Sequence, residues 1–142
     1  MPSASDYTFD QLYEGLAAEH EYVIDDNTYR SFLALFGDVS LVHTSQNFAN
    51  TSGFTGLVMH GAILNGFLSH FIGMCLPGQR SLELTVDIRY LKPCYLGEHL
   101  RLRGEVKQKL DSRRVAVLDV SWDSLMQQLT VARARVQVAM LG

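Results

Sequence analysis

Two side chains in the stretch FGDVSLVH, Phe36 to His43, can move protons: the carboxylate of Asp38 and the imidazole of His43. A general acid and a general base that work on one water must both lie within hydrogen-bond reach of it. On a regular α-helix an offset of five residues turns the second side chain about 140° from the first. The two would diverge, so joint action requires the backbone to leave the helix near them. Gly37, just before Asp38, tolerates such an exit, and Ser40 adds a local hydrogen-bonding group. On spacing alone, the same residues also read as a cap for a turn beginning near Val39 and a partly buried histidine.

A second element stands in GLVMHGAILNG, where His60 and Gly61 open an apolar helix. A helix N-terminus presents unpaired N–H groups and partial positive charge. Gly61 has no side chain to block close approach, so the spot suits an oxyanion developing on a carbonyl. Helix–sheet packing is an equal reading for Gly61, and a cap or core histidine an equal one for His60.

The elements that must hold these residues follow from periodicity. EHEYVIDD is a short strand, and Asp25 or Asp26 caps a helix through NTYRSFLALFG. Residues 44 to 55, rich in Ser, Thr, Asn and Gly, read as loop with about one helical turn. The apolar helix runs from about His60 to Met74 and stops at LPG. After Arg80 the period becomes two. Leu82, Leu84, Val86, Ile88 and Tyr90 share one strand face, and HLRLRGEVKQKL, RRVAVLDVSW and TVARARVQVAM alternate likewise. Such alternation belongs to an antiparallel sheet with one wet face. The expected fold is therefore α+β, one domain over residues 1–142, with a long sheet wrapped around a central apolar helix. One helix cannot cover a wide sheet, so two chains are expected to pair.

Composition removes other classes. The chain of 142 residues is 47% hydrophobic and carries a formal net charge of -3, which gives no basic footprint for nucleic acid or an anionic membrane. No Asp, Glu, Lys or Arg occurs between Asp38 and Arg80, a run long enough to suggest a membrane span. His60, Asn65, Ser69 and His70 within it make a buried helix the better account. Cys75 and Cys94 read as reduced thiols in a cytoplasmic protein, and the N-terminus lacks the basic start and apolar run of a signal peptide. The five histidines show no i,i+4 ligand pairing, so no metal is expected.

In combination these elements resemble the MaoC-like, (R)-specific enoyl-CoA hydratases of the hot-dog fold. That family carries a G-D-x-N-P-L-H motif, then V-H-G at the head of the central helix, then a strand ending in Pro before a Gly-Asp pair. Here GDVSLVH supplies Gly37, Asp38 and His43, MHG supplies His60 and Gly61, and YLKPCYLGE supplies Pro93 and Gly97. Ser40 and Leu41 replace the family's Asn and Pro, and Gly66 replaces a serine of the central helix. The resemblance implies reversible hydration of a trans-2-enoyl thioester on coenzyme A or an acyl carrier protein. Asp38 would act as base on the water attacking C3, and His43 would orient that water and help deliver a proton to C2. Ser40, His60 and Gly61 would contact substrate, with the Gly61 N–H on the enolate-like oxygen. Coenzyme A would be the substrate's carrier rather than a cofactor. Arg80, Arg89, Lys92, Arg113 and Arg114 are candidates for its phosphates. The resemblance also fits a homodimer or a higher oligomer of dimers. Two rival readings are an acyl-thioester-binding protein without turnover and a thioesterase. The central helix has no Asp or Glu to serve the thioesterase.

Overall fold

The chain, described over residues 3–142 of a computed structural model, runs β1 (Ala17–Val23), α1 (Asp26–Phe36), α2 (Leu41–Thr44), α3 (Gln46–Thr51), α4 (Gly61–Met74), β2 (Ser81–Tyr90), β3 (His99–Leu110), β4 (Val115–Ser124) and β5 (Leu129–Met140). The strands form one antiparallel sheet in the order β1-β3-β4-β5-β2. The alternation read from the sequence sets its two faces. Leu102 pairs with Trp122, and Val106 with Leu118, which in turn faces Val136. All five are fully buried on the side that receives α4. The arginines between them, such as Arg103 and Arg135, stand on the wet face in ion pairs with Glu19 and Asp119.

The central helix lies across this sheet and buries Ile63, Leu64, Leu68, Phe71 and Ile72. Its opposite stripe, which includes Asn65, Gly66, Ser69 and His70, is exposed. No helix among the described residues is long and apolar enough to cross a membrane. Cys75 and Cys94 are both free, and burial, with the Glu98 carboxylate nearby, pushes the Cys94 thiol up to about 12.

Two expectations change. The polar segment after His43 is more ordered than a loop: α2 and α3 occupy most of residues 41–51, and the Ser45 hydroxyl caps α3 by accepting the Phe48 N–H at 3.2 Å. The first half of β2 also inverts. Its register against β5 shifts between Glu83 and Thr85, so Leu84 is the extra residue of a bulge. Glu83 consequently shares the inward face with Val86 and Ile88, while Leu82 and Leu84 are exposed. Desolvation raises the Glu83 carboxyl above its ordinary range. Alternation alone could not locate that one-residue slip, because the bulge is set by pairing with β5.

Candidate active site

Helix α1 delivers Asp38. Asp25 caps its start by accepting the Thr28 N–H at 2.7 Å. Gly37 ends it in the left-handed region, at φ 70° and ψ 17°, with its N–H on the Leu33 carbonyl. A side chain is disfavoured there, and the turn throws Asp38 off the helix axis. The backbone thus leaves the helix where the five-residue spacing requires. Asp38 folds back onto Ser40, whose N–H at 3.2 Å and whose hydroxyl both donate to Oδ1. These bonds, the hydroxyl's first, hold the Asp38 carboxyl below its ordinary range, and His43 and His60 pull the same way. Ser40 is therefore a partner of the acid. In Ser40→Ala the carboxyl carbon of Asp38, followed by NMR, should titrate at higher pH than in the native protein. An unmoved midpoint would refute the hydroxyl's part.

His43 sits in α2 with its ring fixed at one edge. Nδ1 lies 2.6 Å from the Val58 carbonyl. A carbonyl only accepts, so Nδ1 carries the proton, and in the neutral ring Nε2 is a bare lone pair. That atom lies 3.8 Å from Asp38 Oδ2. The Tyr29 hydroxyl donates to the His43 main-chain carbonyl at 2.6 Å and ties α1 to α2. His60 is 2% exposed. Its Nε2–H donates to the Asp38 main-chain carbonyl at 2.8 Å, and its ring stacks on His43 with centroids 3.8 Å apart. Phe32 of α1 covers it at 4.5 Å between ring centres. His60 thus braces both members of the pair from beneath.

Gly61 opens α4, and its N–H has no intrahelical acceptor at that position. A Cβ there would lie 2.9 Å from the Tyr90 ring. Packing against β2 is thus a sufficient reason for glycine, and it also leaves the helix N-terminus uncovered by any side chain of its own. His43, His60 and Gly61 line a cleft of about 510 Å³ together with Tyr90, Lys92 and Cys94. A second cleft of about 720 Å³ runs between α1 and α4, lined by Phe32, Leu35, Phe36 and Phe67, with Asn65, Gly66 and Ser69 along the helix. Ala62 borders both clefts. Of the five basic candidates for carrier phosphates, only Lys92 lines the site. Arg80 is paired with Asp6, and Arg114 lies over the Phe9 ring.

Asp38, His43 and His60 bring ligand-type atoms within 4.8 Å of one another. Their arrangement suits a water better than a metal. His60 Nε2, the nitrogen on the Asp38 side, already donates to the Asp38 main-chain carbonyl, which leaves His43 Nε2 and the Asp38 carboxylate as the free acceptors. Three contributors were not recognised from sequence. The Val58 carbonyl is a main-chain atom and leaves no mark in a residue pattern. Tyr29 falls among the apolar positions of α1 and reads as core, and Tyr90 reads as one more alternating strand residue.

A family model described as MaoC like domain matches residues 10–125. A 3-hydroxybutyryl-CoA dehydratase of Methylorubrum extorquens is 25% identical over 118 residues, 83% of this chain and 75% of that protein. An (R)-specific enoyl-CoA hydratase of Aeromonas caviae is 28% identical over 88 residues, 62% of this chain and 66% of that protein. Among solved structures, the unliganded R-hydratase of Pseudomonas aeruginosa superposes with a TM-score of 0.85 at 24% identity, covering 94% of this chain and 85% of that one. The (R)-hydratase from A. caviae gives 0.83 at 22%, covering 91% and 97%. With the family model spanning most of its length, the chain belongs to the MaoC-like domain family and has the hot-dog fold of its hydratase neighbours.

Proposed function

We propose that the protein hydrates trans-2-enoyl thioesters to (R)-3-hydroxyacyl thioesters, and catalyses the reverse dehydration, with Asp38 and His43 acting on a single water. The observation that carries this reading is the 3.8 Å between Asp38 Oδ2 and His43 Nε2. That is too long for a direct hydrogen bond, yet both atoms reach a water at about 2.8 Å. Both are acceptors, so the water donates one hydrogen to each and turns a lone pair toward C3. As its oxygen bonds to C3, His43 Nε2 takes one proton and then delivers it to C2, and the ring returns to its starting form. Asp38, kept ionised by Ser40, orients the water and offsets the transient imidazolium. This division of labour gives His43 the proton transfer and Asp38 the orienting role, because Nε2 of the neutral ring has no proton to give before it takes one. The Gly61 N–H supports the enolate oxygen as charge moves onto the thioester.

The apolar cleft between α1 and α4 accommodates the acyl chain, and the cleft beside Lys92 the carrier arm, with the reacting carbons near Ala62. Coenzyme A is the carrier, and no cofactor takes part. A second copy of the chain completes the particle. The exposed Leu82 and Leu84 on the edge strand β2, and the exposed Leu35, Phe36, Val39 and Leu41 of α1 and the segment after it, support this pairing.

Incubation with crotonyl-CoA, following enoyl absorbance and free thiol together, tests the reading. Loss of absorbance without thiol release is the expected result. Thiol release would make the protein a thioesterase, and binding with neither change would make it a carrier.

A further inference from the structure

Glu98 is 3% exposed, yet neither the proposed chemistry nor any ion pair among the described residues uses it. Both of its carboxylate oxygens accept hydrogen bonds. Oε1 accepts from the Ser124 hydroxyl, and Oε2 accepts from Gln127 Nε2 at 2.8 Å and from the Tyr95 N–H at 3.2 Å. Gln127 Nε2 also donates to the Pro93 carbonyl at 3.2 Å. A buried carboxylate without a cation is costly unless hydrogen bonds offset its desolvation, and here one donor comes from its own loop and two from the end of β4 and the turn after it. The network clamps residues 93–98 to the turn between β4 and β5.

That loop is one bond from the active site. The Cys94 carbonyl accepts the Met59 N–H at 2.8 Å, and Tyr95 forms an antiparallel bridge with Val58. Val58 carries the carbonyl that holds His43 Nδ1. A second route leaves the same residue through its main chain. The Ile24 N–H donates to the Glu98 carbonyl at 2.9 Å, one residue before the Asp25 cap of α1. Helix α1 in turn carries Tyr29, which binds the His43 carbonyl. The two routes meet at His43, one on its ring and one on its backbone.

We infer that Glu98 is a positioning residue: its buried carboxylate fixes the Pro93–Glu98 loop, and through it the Val58 carbonyl that sets the tautomer and direction of the His43 ring. The role of that ring rests on the hydratase reading above. The placement of the ring does not, and the two can be tested apart.

The test is Glu98→Leu in the full chain, which keeps most of the bulk but removes both oxygens that accept from Ser124, Gln127 and Tyr95. The His43 Nδ1–H proton is followed by NMR without substrate, and hydration of crotonyl-CoA is measured beside it. In the native protein the bond to Val58 keeps that proton downfield and slow to exchange. In the variant it should move upfield or be lost to exchange, while kcat falls about 10- to 100-fold and KM changes far less. A purely structural role would lower thermal stability and leave the ring proton where it is. If Glu98→Leu does not fold, Gln127→Leu, which removes the donor to Glu98 and Pro93 without changing charge, should produce the same shift to a smaller degree. An unmoved His43 proton in a folded variant overturns the inference, with or without a fall in kcat. A moved proton in a protein that never hydrates crotonyl-CoA upholds the positioning and rejects the hydratase reading instead.

Discussion

Asp38→Asn and His43→Gln should each lower kcat for crotonyl-CoA hydration by about a hundred- to ten-thousand-fold, the range expected when a positioned acid–base group is removed. Neither should unfold the protein. The Asp38 side chain is 47% exposed and bonded within its own turn to Ser40, so an amide of the same shape leaves the core untouched. The Tyr29 hydroxyl binds the main-chain carbonyl of residue 43, so that tie between α1 and α2 survives a glutamine there. The double variant should be little slower than either single one, because both groups hold the same water and losing one already disables the other. Thermal unfolding measured beside the kinetics separates lost chemistry from lost fold. Near-native activity in either folded single variant would remove the pair from the mechanism.

The legibility of this site from sequence was uneven for identifiable reasons. The break at Gly37 was readable, because a helix geometrically forbids a five-residue pair from meeting and glycine marks where the chain can turn. The sheet was readable because β3 and β5 alternate, with Leu102 and Val106 between charged residues and Ala134 and Val136 between polar ones; β4, whose first four residues are all buried, carries the signal only in its second half. The bulge at Leu84 was not, since it is decided by which β5 residue each β2 residue meets. The direction of His60 was also hidden. Its place at the head of α4 reads equally as a cap or core histidine and the resemblance gives it a substrate contact; the fold sets it in the wall of the cleft with Nε2 on the Asp38 carbonyl and the ring stacked on His43. Contacts made by main-chain atoms, such as Val58 O on His43, depend on tertiary placement and carry no signature of residue type. Glu98 illustrates the same limit: it follows Gly97 where the family has the acid of its Gly-Asp pair, and its burial and fastening follow only from the approach of Ser124 and Gln127.

A large stability effect should come from Phe71. Its ring is fully buried at the start of the last turn of α4 and fills the space over Gly104 of β3. Gly104 faces inward between Leu102 and Val106 and pairs with Val120. A Cβ built on it would lie 2.6 Å from the Phe71 ring, closer than van der Waals contact allows. The missing side chain on the strand and the large one on the helix are therefore one packing unit. Phe71→Ala should cost about 3–5 kcal/mol, through lost burial and the cavity left behind. Gly104→Ala should cost about 1–3 kcal/mol by overpacking, because a ring wedged between helix and sheet has no free rotamer to yield into. The double variant decides whether the two costs share a cause. With the ring gone, the new methyl occupies part of the vacated space instead of clashing, so the combined loss should fall short of the sum of the single losses. Denaturant unfolding of the four proteins measures this directly. Strict additivity would mean that Gly104 is required by the strand's backbone rather than by the ring. Because α4 also presents Gly61 and His60 at its head, Phe71→Ala should lower hydration activity in proportion to the population that unfolds, with KM of the folded fraction preserved.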